Sequence, residues 1–212
     1  MIFQAHLFIP ELYLLALIAG LFALTIGPKS WSGLLNFLPL AAGVGIIVAA
    51  LALPAKGLMF YGAYQVDGLS QFFKLAIALG LAVTCLNAMK QTAVSEEKRA
   101  DYFLFLGLSA LGLMLLSSAV ELVTMFLALE IASYSLYALI PLRGRDASAA
   151  EAGIKYILFG AVITALAMCG LSYILAVQHT TYLTGLVTKA WSWAESPAAV
   201  IGMALFLGAL FY

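Results

Sequence analysis

The sequence is poor in charge, cysteine and histidine, and the shortage of charge excludes whole classes of protein. Charged residues make up 9% of the 212 positions, whereas a soluble domain contains about 25%. Acidic and basic residues balance at ten each, and no basic run exists, which argues against nucleic-acid binding. Hydrophobic residues reach 65%, so a soluble fold of this length has no interior large enough to hold them.

Cysteine and histidine are too few and too scattered to form a metal or redox site. Cys85 and Cys169 lie far apart in apolar runs, unlike the ligands of zinc or iron–sulfur centres or a structural disulfide. His6 and His179 have no second histidine at metal-ligand spacing. Glycine-rich phosphate loops and nucleophile elbows are also missing. We therefore expect no metal, no cofactor and no redox centre on this chain.

The abundant apolar residues form long continuous runs. Lipid must then surround most of the chain, and in lipid every backbone polar group needs a partner within the protein. Because the runs do not alternate with polar residues, helices are favoured over barrel strands. We predict one transmembrane domain over residues 1–212, an all-α, polytopic helix bundle of about seven spans at about 20 residues each. The predicted spans lie near 7–27, 31–53, 68–89, 102–119, 121–142 and 152–177, and an incomplete last span begins near 198.

The distribution of basic residues predicts how the bundle is oriented. Residues 1–10 contain no Lys or Arg, so the first apolar run is expected to be a retained span and not a signal peptide. An N-terminus on the outside leaves only Lys56 and Lys189 in outer loops, as the positive-inside rule requires. It places these basic residues in cytoplasmic loops: Lys29, Lys90, Lys98, Arg99, Arg143 and Arg145.

Two local patterns predict how neighbouring helices pack. Residues 117–121 are the only break between the fourth and fifth spans, so these spans are expected to be antiparallel neighbours joined by a tight turn. In the sixth span, the small residues Ala161, Ala165 and Cys169 recur every four positions. Such spacing lets membrane helices approach closely, and we expect ordinary bundle packing at this stripe.

Once loops and span ends are set aside, three ionisable side chains remain inside the predicted spans: Lys74, Glu130 and Lys155. Each costs a few kcal/mol at membrane depth on insertion scales, so it must be paired, hydrated or functional. Glu11 and Glu121 fall at outer span ends, where a carboxylate suits a helix N-terminus, and we interpret both as interfacial.

Glu130 lies deepest, because twelve residues separate it from the inner span end at Leu142, or about 18 Å at the helical rise. Ser133, Tyr134 and Tyr137 follow it at i+3, i+4 and i+7, forming a hydroxylated stripe on an otherwise apolar helix. Such a stripe can hold water, and a carboxylate beside water can exchange a proton and respond to nearby charge. The alternative is a glutamate held as a static interhelical hydrogen bond. Function is favoured because intramembrane acids are functional by default.

The two lysines are less deep. Lys155 lies only a few residues into the sixth span, so its ammonium can extend back to the interface, and the sequence does not decide between this and a functional role. Packing of the fifth and sixth spans would bring Lys155 toward Glu130, but an axial gap of roughly 12 Å remains, which long side chains or a water molecule would have to bridge. Lys74 lies two turns into the third span, where the same extension or a local ion pair explains it.

Two segments resemble a known family. Residues 127–139 read LALEIASYSLYAL and residues 151–161 read EAGIKYILFGA. Together with residues 117–122, they resemble the antiporter-like subunit N of proton-pumping NADH:quinone oxidoreductase, respiratory complex I. Residues 67–75 are similar to the family's third span, and the resemblance extends over most of the chain from Asp67 onward.

The resemblance implies roles for two residues and a division of the chain. Glu130 and Lys155 match the family's proton-translocating glutamate and lysine, which begin a hydrated row continued by lysines of later helices. Residues 1–100 would form an N-terminal three-helix part, and residues 101–212 the incomplete start of a pseudo-symmetric antiporter-like repeat. About half of a fourteen-helix subunit is present, so the sequence is either a fragment or a shortened subunit.

The implied function is proton translocation by a subunit that carries no redox centre within a larger translocase. Its partners would be other membrane-arm subunits, lipid and protons, in the inner (plasma) membrane of a bacterium, with quinone, FMN and iron–sulfur clusters on other subunits. A related cation/proton antiporter or a membrane-bound hydrogenase shares the same residues. A purely structural membrane subunit, in which Glu130 only locks helices together, is a third hypothesis.

Overall fold

A computed structural model describes residues 5–27, 29–90, 94–143 and 147–211. Helices dominate these residues, and a two-stranded hairpin joins the second and third helices. The helices are α1 (Ile9–Ile26), α2 (Leu38–Leu51), α3 (Gly68–Lys90), α4 (Arg99–Ser118), α5 (Leu122–Leu139), α6 (Ala147–Gln178), α7 (Leu183–Leu186) and α8 (Pro197–Leu210). The strands are β1 (Gly57–Met59) and β2 (Tyr64–Val66). Short 3₁₀ segments occupy Ala5–Phe8, Lys29–Phe37, Phe60–Gly62, Glu96–Lys98 and Pro141–Arg143.

Six helical segments are long and apolar enough to cross a membrane within the described part of the chain. They are Ala5–Ile26, Gly33–Leu51, Gly68–Met89, Glu96–Ser118, Leu122–Leu139 and Ala149–Gln178. The predicted seventh span corresponds to α8, a shorter apolar helix. The protein is thus a multi-pass membrane protein and the expected helix bundle is confirmed, while the outside N-terminus stays a prediction. Among the predicted loop residues, Pro28, residues 91–93 and residues 144–146 lie outside the described ranges.

Proline and short polar side chains set where the helices begin. Pro10, Pro39 and Pro197 each lie in the first two positions of α1, α2 and α8, where a missing N–H costs nothing. At the start of α3, Ser70 N–H donates to Asp67 Oδ1 and Asp67 N–H donates to Ser70 Oγ, both at 2.8 Å. This reciprocal cap satisfies two backbone donors that have no partner within the helix.

The β1–β2 hairpin was not predicted from the sequence. Its strands are antiparallel, with Gly57 opposite Val66, and its turn places Phe60, Tyr61 and Gly62 at φ of 51°, 58° and 87°. Only glycine adopts this left-handed region without cost. Strands of three residues are too short to show a period of two in the sequence, so the segment was read only as the connection between the second and third spans.

The segment between α4 and α5 is extended and hydrogen-bonded on both sides. Val120 N–H donates to Ala63 O of the hairpin turn at 3.0 Å. On the other side, Leu122 N–H donates to Thr181 O at 2.9 Å, and Leu183 N–H donates to Val120 O at 3.0 Å. The three-residue connector confirms that α4 and α5 are neighbours joined by a short segment, although its backbone is extended and not a turn. It also ties the hairpin to the α6–α7 turn at one end of the bundle.

Two large apolar clusters form the core of the described residues, and a smaller third cluster joins Leu7 and Phe8 to the hairpin. The first joins α1 to α4 around side chains such as Phe103 and Met114. The second joins α5, α6 and α8 around Phe126, Ile174 and Phe206. Helices α4 and α5 pack closely against each other, so they connect the two clusters into one bundle.

Three glycines allow the closest helix crossings. A Cβ added at Gly112 of α4 would lie 2.5 Å from Ala132 N of α5. A Cβ at Gly170 of α6 would lie 2.5 Å from Gly202 O of α8, and one at Gly202 would lie 2.6 Å from Gly170 O. In lipid the hydrophobic effect does not drive helices together, so close backbone contacts of this kind stabilise their association instead.

The small-residue stripe expected to carry close packing in α6 is placed differently. Ala161, Ala165 and Cys169 are exposed in this chain, whereas Gly160, Ala167 and Gly170 are buried. The prediction was therefore wrong about the face of the helix. Spacing of four identifies a continuous stripe, but it does not reveal which stripe meets a neighbour.

We predict that Gly202→Ala lowers the free energy of unfolding in detergent by about 1–3 kcal/mol, because its methyl group overlaps backbone atoms of α6. Gly208→Ala on the same helix is the matched control, since a Cβ there meets nothing within 4 Å. Thermal and denaturant unfolding of the purified protein provide the measurement. Equal stability of the two variants would contradict the close α6–α8 crossing.

Candidate functional site

Glu130 lies near the middle of α5, eight residues after the first helical position and nine before the last. Its side chain is half-buried. Thr164 Oγ1 of α6 lies 3.1 Å from each of the two carboxylate oxygens, so one hydroxyl proton is shared between them. No ion pair involving Glu130 occurs within the described ranges. The carboxylate therefore holds a single weakly directed donor and keeps accepting capacity free.

A cavity of about 90 Å³ adjoins the Glu130 carboxylate. A single internal water needs about 10–15 Å³ of such volume and two or more polar partners, so several water molecules fit. Four polar side chains lie on its wall, and apolar residues of α5, α6 and α8 complete it. The lining residues are Phe126, Leu129, Glu130, Ser133, Tyr137, Gly160, Ile163, Thr164, Ala167, Ala209 and Leu210.

The predicted hydroxyl stripe is divided between two faces of α5. Ser133 and Tyr137 line the cavity together with Glu130. Tyr134 lies on the neighbouring face, 46% exposed, with its ring 5.7 Å from that of Tyr137. Helical geometry accounts for this, because i+3 and i+7 lie on one side of position i, and i+4 lies on the other.

Gly160 of α6 gives Tyr137 its place in the cavity wall. A Cβ at this position would lie 2.6 Å from a ring carbon of Tyr137 and 2.7 Å from its hydroxyl oxygen. Any larger residue would push the tyrosine out of the wall. The glycine therefore keeps a hydroxyl beside the water-sized space that Glu130 faces.

Lys155 lies away from Glu130 in this structure. Its Nζ is 2.5 Å from Glu151 Oε1 one turn earlier, and its side chain is 65% exposed. Nine residues separate Lys155 from Thr164, which amounts to about 13 Å along the helix and the opposite face. The structure thus reproduces the expected axial gap and does not bring the two charges together, and their functional partnership stays a prediction.

Lys74, the third ionisable residue of the predicted spans, forms an ion pair. Its Nζ lies 2.7 Å from Glu11 Oε1, and both side chains are fully buried. The hydroxyl of Tyr64 donates to the same carboxylate oxygen at 2.5 Å. Glu11 lies in the first turn of α1, as expected, and the structure adds that its carboxylate is buried inside the bundle and paired. A sequence read one span at a time does not show which charges meet when helices pack.

Glu121 caps the helix that carries Glu130. Its Oε1 accepts from Val123 N–H at 3.1 Å, and its Oε2 accepts from Thr124 N–H at 2.8 Å and Thr124 Oγ1 at 2.7 Å. The expected position at a helix N-terminus is confirmed, and the side chain is 7% exposed. Burial raises its pKa, but hydrogen bonds from Thr181, Thr124 and the α5 backbone outweigh burial and hold the pKa below its usual value.

Sequence reasoning missed Thr164 as the partner of Glu130, and it missed the pairing of Glu11 with Lys74. Thr164 is a single hydroxyl in the middle of an apolar run, and its depth matches that of Glu130 once the spans are aligned. This match in depth is the sequence signal that could have identified Thr164. Glu11 carried no comparable signal, because first-turn carboxylates are common at exposed helix ends.

Comparison with known proteins supports the resemblance seen in the sequence. The family model described as NADH:quinone oxidoreductase/Mrp antiporter, TM, matches residues 119–212. NADH-quinone oxidoreductase subunit N 2 of Solidesulfovibrio magneticus is 57% identical over 204 residues, covering 96% of this chain and 43% of the relative. The protein of the same name from Opitutus terrae is 36% identical over 209 residues, covering 97% and 43%. The chain thus spans less than half the length of these relatives.

Solved structures show the same arrangement of helices. A chain of respiratory complex I from Thermus thermophilus with bound aureothin superimposes with a TM-score of 0.73 at 26% identity, covering 97% of this chain and 43% of that one. A chain of the membrane-bound sulfane sulfur reductase, an archaeal respiratory membrane complex, superimposes with a TM-score of 0.71 at 21% identity, covering 97% and 42%. The second likeness concerns the fold alone. The chain therefore belongs to the family of antiporter-like membrane subunits that includes subunit N of NADH-quinone oxidoreductase.

Proposed function

We propose that this chain is part of a proton-translocating membrane subunit of a redox-driven NADH:quinone oxidoreductase, in which Glu130 takes up and releases the proton. The observation that carries the proposal is a half-buried carboxylate in mid-helix. It faces a cavity large enough for water and is held by one shared hydroxyl proton from Thr164.

The chemistry needs no covalent step. Glu130 accepts a proton from cavity water and becomes a neutral acid, then returns the proton to water when the charge nearby changes. Moving one charge through 100 mV costs about 2.3 kcal/mol. A change of that size in the free energy of protonation corresponds to gaining or losing one or two charged hydrogen bonds. The environment of Glu130 can supply such a change, because its only side-chain donor, among the described residues, is the shared hydroxyl.

The cavity extends from α5 and α6 to the end of α8 at Ala209 and Leu210. A proton released from Glu130 would pass in that direction, toward α8. Because the chain spans 43% of its closely matched relative, we propose that the groups which receive the proton belong to the rest of the subunit or to neighbouring membrane-arm subunits. The proposed location is the inner membrane of a bacterium, and quinone, FMN and iron–sulfur clusters would be carried by other subunits.

Lys155 is proposed to influence Glu130 through space and not by contact. At about 13 Å or more, a unit charge contributes about 1 kcal/mol or less at an effective dielectric constant of 20. Its 65% exposure weakens that effect further. We propose that its pairing with Glu151 holds the charge in place, and that its release would tune the proton affinity of Glu130 modestly.

A related cation/proton antiporter is the second candidate function, because the matching family model includes the Mrp antiporters. Glu130 would then exchange protons in the same way, with the driving force supplied by another ion. Transport measured with and without sodium, and with NADH as the only energy source, distinguishes the two. Proton movement that requires NADH oxidation and not sodium supports the first candidate.

A structural role without an ion path is the remaining hypothesis. In that case the Glu130–Thr164 hydrogen bond would only join α5 to α6. The cavity beside it argues against this, since a purely structural contact is best served by close packing. A structural glutamate would affect assembly before transport, so each variant below is examined for assembly as well as for flux.

We predict that Glu130→Gln abolishes proton pumping by the assembled complex, because a glutamine keeps the shape and the Thr164 contact but cannot bind a proton. Proton uptake into proteoliposomes during NADH oxidation provides the measurement, with native gels to confirm assembly. Glu195→Gln, at an exposed position, is the matched control and should pump normally. Normal pumping by an assembled Glu130→Gln complex would refute the proposed function.

Thr164→Val is expected to lower the pumping rate by about tenfold, since a hydrogen bond to a charged group contributes about 1.5–3 kcal/mol. Valine matches threonine in shape but has no hydroxyl, whereas Thr164→Ser retains the hydroxyl and should restore most of the rate. Both variants are compared at several pH values. An unchanged rate and pH profile in Thr164→Val would show that the hydroxyl plays no part.

Lys155→Ala is expected to lower the pumping rate by about fivefold at most, consistent with a through-space effect of about 1 kcal/mol or less. Lys189→Ala, in an exposed part of the connection between α6 and α8, is the control. Raising the salt concentration should reduce the Lys155 effect, because exposed charges are screened. Complete loss of pumping would instead require direct contact between Lys155 and Glu130 in another conformation.

A further inference from the structure

A second buried polar site lies at the hairpin end of the bundle. We name Glu11, Tyr64, Gln71 and Lys74 the hairpin-end cluster. Three of these side chains are fully buried and Tyr64 is 1% exposed. Glu11 Oε1 lies 2.7 Å from Lys74 Nζ and accepts from Tyr64 OH at 2.5 Å. Lys74 Nζ also lies 5.1 Å from the centre of the Tyr64 ring. The cluster therefore joins α1, β2 and α3 through one carboxylate oxygen.

The remaining polar atoms of the cluster have no partner within the described residues. These are Glu11 Oε2, Gln71 Nε2 and Gln71 Oε1. Gln71 lies one turn before Lys74 on the same face of α3. Buried polar atoms in proteins are almost always satisfied, by protein or by internal water. A carboxylate oxygen and a two-sided amide in this position are typical of groups that hold internal water.

The cluster is covered from outside by aromatic rings. The ring of Tyr64 lies 5.6 Å from Phe8 and 6.1 Å from Phe60, in edge-to-face contacts. Burial and the charge of Glu11 raise the pKa of Tyr64 far above its ordinary value, so its hydroxyl stays a donor at any physiological pH. Lys74 lies six residues after the start of α3, or about 9 Å along the helix, so only the hairpin separates the cluster from the end of the bundle.

A cluster that only held the helices together would not need these charges. Exchanging a buried ion pair for apolar residues of similar volume is often neutral or stabilising, whereas removing one partner is strongly destabilising. Ionisable residues within a membrane mark proton paths more often than they mark purely structural contacts. The unpartnered atoms of Glu11 and Gln71 also favour a proton path, because a purely structural contact would leave no buried polar atom without a partner.

We propose that the hairpin-end cluster is a second, water-holding proton site of the translocation machinery, separate from Glu130. The proton moves from Lys74 Nζ to Glu11: an N–H bond breaks, an O–H bond forms, and a charged pair becomes a neutral amine and a neutral acid. The amine then takes an excess proton delivered through internal water as hydronium, and the Glu11 acid releases its own proton to another water, which restores the ammonium–carboxylate pair. Asp67, which directly precedes α3 and whose charge also acts on Lys74, is a further charged group beside the cluster. The inference rests on the proposed function, because proton pumping is its readout.

The cluster is connected to α5 by the backbone. Tyr64 forms an isolated bridge with Ala119, and Ala63 O accepts from Val120 N–H. Glu121 follows directly and caps α5. The backbone of residues 119–121 therefore links the cluster to the helix that carries Glu130.

The test exchanges the pair for apolar residues. In the assembled complex, Glu11→Leu combined with Lys74→Met leaves no unpaired buried charge, so folding should be retained. We expect proton pumping to fall by about tenfold, equivalent to about 1.4 kcal/mol in the barrier. Pumping at the parental rate by this double variant would overturn the proposal. Glu130→Gln, measured in the same preparation, separates the two proposals, since it tests Glu130 independently of the cluster.

A second variant keeps the proposal testable if the double variant does not assemble. Tyr64→Phe retains the ring and its contacts with Phe8 and Phe60 but removes the donor to Glu11. Tyr61→Phe, at an 84% exposed position of the same hairpin, is the matched control. We expect Tyr64→Phe alone to slow pumping and to change the infrared carboxyl band that Glu11→Gln removes. An unchanged rate and spectrum in Tyr64→Phe would overturn the proposal.

Discussion

Lipid supplies no hydrogen-bond partners, and this constraint governs the whole structure. Backbone groups are satisfied within helices, and at one end of the bundle the connector between α4 and α5 is bonded to the hairpin on one side and to the α6–α7 turn on the other. Ionisable groups meet the same condition by pairing, as Glu11 and Lys74 do, or by facing a cavity, as Glu130 does. Close glycine crossings add the packing that holds these arrangements together.

The sequence predicted the architecture well because this constraint acts on composition directly. Continuous apolar runs predicted the spans, and the short 117–121 break predicted that α4 and α5 are neighbours. The sequence motifs around Glu130 and Lys155 indicated the family, which the comparisons confirm. The hairpin was missed because strands of three residues carry no periodic signal.

The site was predicted less completely, for a geometric reason. Position along one helix is readable from the sequence, and the mid-helix depth of Glu130 was found in this way. Which residue of another helix faces that position depends on packing, so Thr164 was missed, as was the pairing of Glu11 with Lys74. The same limit affected the stripe at Ala161, Ala165 and Cys169, whose spacing was right and whose face was not.

The three carboxylates at these sites differ in how many hydrogen-bond donors hold them. Glu121 accepts from two backbone N–H groups and from threonine hydroxyls, which fix its charge at a helix N-terminus. Glu11 has one oxygen held by Lys74 and Tyr64 and the other without a partner. Glu130 shares one hydroxyl proton between both oxygens. Glu121 is therefore held by the most donors and Glu130 by the fewest, and this difference, together with the adjoining cavity, is the geometric reason for assigning the proposed exchange to Glu130.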